Sequence, residues 1–220
     1  MEIFPEVVAF DYCISLGYKC DMANALIDVC IRDASYPFDW CFTKISKINK
    51  CFETDFVDFF DRKNFVMESG YTGHPASDKD NGITYVHDGK FKDLMRNDEF
   101  YKKQKNKYDR RIKRLYEKLN NDNNILFMHI PAENTTNDEI FKLVDTINNK
   151  NFKANIKFII LTANNIPNDK IYENIKFIQI DSHDTIWPIT NVLKNIKVVR
   201  HYRHRSSKIS ALKGGKKYEF

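Results

Sequence analysis

An α/β fold, with a mostly parallel sheet and helices on both faces, is predicted by three features of the sequence. Near-continuous apolar runs recur at residues 7–17 (VVAFDYCISLG), 124–130 (NILFMHI), 156–162 (IKFIILT) and 175–180 (IKFIQI). Runs of that kind belong to strands covered on both sides, where alternation is unnecessary. Amphipathic helical periods lie between several of them, the grammar of a parallel sheet. The first run also ends in a glycine and passes directly into a helical period, a strand–turn–helix junction.

Taken in order, the first strand is followed by CDMANALIDVCIRDA, in which Ala23, Leu26, Ile27 and Cys30 fall at helical spacing. YPFDW and a second helical stretch, KISKINKCFETDFVDFF, occupy residues 36–60. Residues 68–82 are dense in Gly, Pro, Asp and Ser and read as a loop. ITYVHDG reads as a short strand entering a turn at Gly89, pairing as a hairpin with FVMES. Residues 92–120 read as one long charged helix, with Tyr101, Tyr108, Ile112, Leu115 and Leu119 on roughly one side. Helices are expected again from Asp138 to Asn149 and around Ile189 to Leu193, between and after the later strands. The economical division is one α/β domain over residues 1–199, in which residues 62–120 form an inserted hairpin and charged helix, followed by a basic, flexible tail at 200–220.

Composition narrows the function classes. The hydrophobic fraction of 42% is enough for a core at a length of 220 residues, and the 30% of charged residues describes a solvated surface. No stretch approaches the ~20 apolar residues of a membrane helix, and the first residues lack the pattern of a signal peptide. The five cysteines (Cys13, Cys20, Cys30, Cys41 and Cys51) are odd in number and contain no CxxC pair. They read as free thiols in a reducing, cytoplasmic compartment, with no metal site and no cofactor expected. The net charge of +5 is concentrated in residues 90–114 and 200–220. An anionic ligand at the basic helix is one reading of this, and a solvated helix face is the other.

The stretch SLGYKCDMANALIDVCIRDASYPFDW carries the chemistry. It places Cys20 at the N-terminus of a helix, where free amides and the positive dipole end favour thiolate. The amides from Gly17 through Lys19 to Cys20 are candidate oxyanion donors. A nucleophilic cysteine needs a base, and the base needs an orienting group. His87, beside Asp88 at a strand end, is the first candidate base. His129 and His183, at the edge formed by strand C-termini, are the second. Asp39 is either an orienting carboxylate or a helix cap.

The run ISLGYKC…A..L…C.R.ASYPFDW, followed by YVHDG, KYDRRIKRL and ILFMHI, resembles the family of putative papain-like cysteine peptidases found in bacteria and large DNA viruses. The resemblance extends over most of residues 10–195. It implies that Cys20 is the motif cysteine, that Asp39 and Trp40 belong to the PFDW element, that His87 and Asp88 form the HD element, and that Arg110, Arg111 and Arg114 belong to the basic helix. It also implies a peptide or small acyl substrate, and the host cytoplasm if the chain is viral. Two other readings use different residues. A glycan- or nucleotide-sugar-modifying transferase or esterase would use the arginines as an anion site, with Ser15 and His183 in reach of the substrate. A non-catalytic module would hold nucleic acid on the basic segments, but no recognised nucleic-acid motif accompanies them.

Overall fold

The computed structural model describes residue 4 and residues 6–17, 19–163, 172–180 and 186–199. His183 and the 200–220 tail lie outside the described residues. The four apolar runs form one parallel sheet in the order β1 (Tyr12–Ser15), β6 (Asn124–His129), β7 (Asn155–Thr162) and β8 (Ile175–Gln179). β1 is shorter than its apolar run, although Phe10 also bridges to Val198.

Because consecutive side chains on a strand point to opposite faces, the sheet feeds two separate cores. Ile14, Ile125, Phe127, Phe158 and Ile160 join the larger one, with α2 (Ile45–Glu53), α4 (Asp98–Leu119) and α5 (Asn137–Asn148). Cys13, Leu126, Met128, Ile159 and Leu161 join the smaller one, with α1 (Asp21–Asp28) and α6 (Ile186–Leu193). Helix α2 packs against α5, and α1 against α6.

A second, antiparallel sheet runs β2 (Phe42–Thr43), β5 (Ile83–Thr84), β4 (Ala76–Asp78) and β3 (Phe65–Met67). It corrects the expected hairpin. FVMES does not pair with ITYVHDG, because the segment read as a loop supplies β4 between them. The ITYVHDG strand ends at Thr84, leaving His87 beyond it in a turn. The long charged helix is also two helices, α3 (Phe91–Arg96) and α4, broken at Asn97, whose side chain caps the Phe100 amide at 2.9 Å.

Both early helices end sooner than their periodicity implies, by the same device. In α1, Cys30 takes φ +60°, and the Cys30 and Ile31 amides return to Ile27 and Leu26. In α2, Asp55 takes φ +52°, and the Asp55 and Phe56 amides return to Phe52 and Cys51. These are Schellman closures made without glycine. The second one releases residues 54–60 into turns that bury Phe56, Phe59 and Phe60 in the aromatic core. The site-bearing turn after β1 does use a glycine. Gly17 has φ +82°, and a Cβ there would lie 2.9 Å from the Phe38 carbonyl oxygen and 3.1 Å from Thr43 Cγ2. Gly17→Ala is therefore expected to destabilise the chain by at least about 1–2 kcal/mol, from left-handed strain alone. A urea midpoint equal to that of the parent would show that this close approach carries no weight.

Candidate active site

The parallel sheet presents Ser15, Leu16 and Gly17 at the end of β1, and the chain then turns into α1 with Cys20 at the N-cap. From the other sheet, β5 delivers the turn Tyr85–Gly89, closed by a bond from the Asp88 amide to the Tyr85 carbonyl. Gly89, at φ +96°, lets this turn sit on Phe100, whose ring lies 2.6 Å from where a Cβ would be. The two segments meet side chain to side chain. Cys20 Sγ lies 3.1 Å from His87 Nε2, across 67 residues of sequence. Cys20 is half-buried and His87 is exposed, so the contact opens onto solvent.

Electrostatics around the thiol run against the helix-terminus expectation. Burial first, then the negative charges of Asp21 and Asp39, push the Cys20 thiol up to about 11. The dipole of an eight-residue helix does not overcome these effects, so the resting group is a thiol. The contact sets this thiol within proton-transfer distance of Nε2. The Trp40 ring meets the imidazole edge-on, with centroids 6.2 Å apart and planes at 87°.

Neither expected orienting carboxylate bonds to His87. Asp39 is buried and accepts from Arg32 Nη2 at 2.6 Å and from the Tyr36 amide at 2.8 Å through the same oxygen. Burial raises its carboxyl above the ordinary range, with Arg32 pulling it back. Arg32 also donates to Ser35 Oγ at 2.7 Å and lies 5.3 Å over the Trp40 ring. Asp88 turns inward, where it is ion-paired with Lys107 and accepts from the Tyr108 hydroxyl at 2.5 Å.

The expected oxyanion and anion residues are also redistributed. The Gly17 amide donates to Ser15 Oγ at 3.1 Å, which occupies that donor and places the alternative serine nucleophile in the core. Lys19 is half-buried beside Cys20. The three arginines do not converge on one anion. Arg110 is exposed, Arg111 is buried 5.1 Å over the Tyr108 ring, and Arg114 donates to the Ser35 carbonyl at 2.5 Å. His129 is fully buried at the end of β6, and neither ring nitrogen has a hydrogen-bond partner of ordinary geometry. Burial drives its pKa down to about 3, offset only in part by the Leu16 backbone. Among the described residues, no cluster of three or more His, Cys, Asp or Glu is placed to hold a metal.

Arg32, Lys107 and the hydroxyl of Tyr108 are the contributors that sequence reasoning missed. Tyr108 was visible only as one of a row of core positions. No period links Arg32 to Asp39, seven positions further along irregular chain.

Two outcomes follow from this geometry. Arg32→Met strands a buried carboxylate and is expected to cost about 3–5 kcal/mol, most of it recovered when Asp39→Leu is added. Additive losses in urea unfolding would rule out the pairing. His129 is neutral when folded, whereas the unfolded ring takes up a proton near pH 6.5. Its contribution is therefore complete above pH 6.5 and is lost as pH falls towards 3. His129→Leu should flatten that part of the stability–pH curve, and an unchanged acid limb would show that the ring plays no part.

The family described as "Putative papain-like cysteine peptidase (DUF1796)" matches this chain over residues 11–166, well beyond half its length. Comparison with curated proteins and with solved structures gave no match.

Proposed function

From a chain that belongs to the family of putative papain-like cysteine peptidases, we propose a thiol hydrolase or acyl transferase in which Cys20 is the nucleophile and His87 the general base. The observation that carries this reading is the 3.1 Å contact between Sγ and Nε2, made by segments that follow strands of two different sheets and open to solvent.

Because Cys20 rests as a thiol, the base acts during attack. As Sγ bonds to the acyl carbon of a peptide or small acyl substrate, Nε2 takes the thiol proton. The carbonyl oxygen gains the negative charge and faces the amides at the start of α1. Collapse of the tetrahedral adduct expels the amine or other leaving group, which takes the proton back from the imidazolium. Water, deprotonated by His87, then attacks the thioester carbon and releases the acid and the thiol. An acceptor amine or alcohol in place of water gives transfer. Trp40 limits the tilt of the imidazole, and Arg32 lies over the Trp40 ring.

The test is the rate of Cys20 alkylation by iodoacetamide against pH, with the modified residue located by peptide mapping. Two arms are expected, a neutral-pH arm carried by proton transfer to His87 and a second rise towards pH 11 as the thiol ionises by itself. His87→Ala should remove the first arm and spare the second. A single arm, identical in both proteins, would defeat the pair. With a turned-over substrate in hand, Cys20→Ala should lower kcat/KM by roughly 10³-fold or more.

A further inference from the structure

We propose that Tyr108 is a positioning residue for the Cys20–His87 pair, its phenol oxygen bridging the two chain segments that set the imidazole's place. The proposal rests on the Cys–His reading above. Tyr108 lies on α4, a 22-residue helix, and is fully buried. Its hydroxyl donates to Asp88 Oδ2 at 2.5 Å. The same oxygen lies 3.4 Å from Cys41 Sγ, whose S–H is shared with the Pro37 carbonyl at 3.6 Å. Asp88 directly follows His87, and Cys41 directly follows Trp40, the ring that meets the imidazole edge-on. One oxygen on one helix therefore holds the backbone next to the base and the backbone next to the base's aromatic stop.

Packing alone does not call for this bridge. Tyr108 stacks on Phe60 at 4.6 Å and packs against Tyr85 at 5.3 Å and Phe59 at 5.6 Å. A phenylalanine would fill the same space without the hydroxyl. Burying the Asp88 carboxylate, with an exposure of 2%, carries a desolvation cost that an apolar core avoids. What the polar network supplies instead is a fixed position. Apart from Cys20 and Trp40, the exposed His87 ring makes no other hydrogen bond or ring contact among the described residues. The lysine on the same turn of α4, Lys107, completes the anchorage by ion-pairing with the other Asp88 oxygen.

The experiment compares Cys20 alkylation against pH in the parent, Tyr108→Phe and His87→Ala, each checked by circular dichroism and thermal melting. Tyr108→Phe is expected to lower the neutral-pH arm at least threefold, towards the His87→Ala profile, while leaving the alkaline rise in place. A lower melting temperature with an unchanged neutral arm would make the bridge purely structural and overturn the proposal, with the pair intact. Should His87→Ala itself leave the neutral arm unchanged, the underlying pair fails and the positioning role falls with it. If Tyr108→Phe does not fold, Cys41→Ala severs the same bridge from the Trp40 side, keeps the ring stack, and is read by the same criteria.

Discussion

The buried Arg32–Asp39 pair is the constraint from which the rest of the site is measured. Taking a carboxylate and a guanidinium out of water costs several kcal/mol per ion, so such a pair is a poor source of net stability. Its return is geometry. One Asp39 oxygen gathers Arg32 and the Tyr36 amide, Arg32 goes on to Ser35 and Trp40, and Arg114 from α4 holds the Ser35 carbonyl. Residues 32–40 are thereby folded around one charge. Phe38 of this segment packs against Gly17, three residues before Cys20, while Trp40 meets His87. Both partners of the thiol–imidazole contact take their positions from the same stretch of chain.

Charge is divided within this arrangement by depth. The half-buried thiol keeps its proton because desolvation and two acidic neighbours outweigh the helix terminus, so the imidazole must act as a base during the reaction. The buried histidine of β6 is kept neutral and enclosed. The basic helix, whose composition allowed either an anion site or a solvated face, directs Lys107, Arg111 and Arg114 towards Asp88, Tyr108 and Ser35, and leaves Arg110 exposed to solvent. Its cations hold the two segments that carry the site.

Some periodicities were reliable and others misled. The parallel strands were legible because a strand covered on both sides has to be apolar at every position. Phe52, Phe56, Phe59 and Phe60 share helical spacing, yet the helix stops at Glu53 and the last three rings reach the core through turns with positive φ at Asp55, Phe56, Asp58 and Phe60. Burying those rings outweighs left-handed backbone of about 1–2 kcal/mol per residue. β4 stayed hidden for a related reason. Three residues, Ala76–Asp78, beside turn-forming neighbours are too short to show alternation, and only their partners β3 and β5 make them a strand.

By itself the sequence determined the parallel α/β layer, the strand–glycine–helix junction that places Cys20 at a helix start, and a short strand leading towards His87, which the structure ends at Thr84. These are local properties, set by hydrophobic period and by backbone freedom over a few residues. Only the tertiary structure decided which groups meet. Cys20 and His87 are 67 residues apart and lie on segments from different sheets, and the carboxylates flanking them in sequence face Arg32, Lys107 and Tyr108 instead. Asp39 and Asp88 could not be assigned from sequence because a carboxylate's role depends on which cation or donor reaches it once water is excluded, and packing between distant segments sets that.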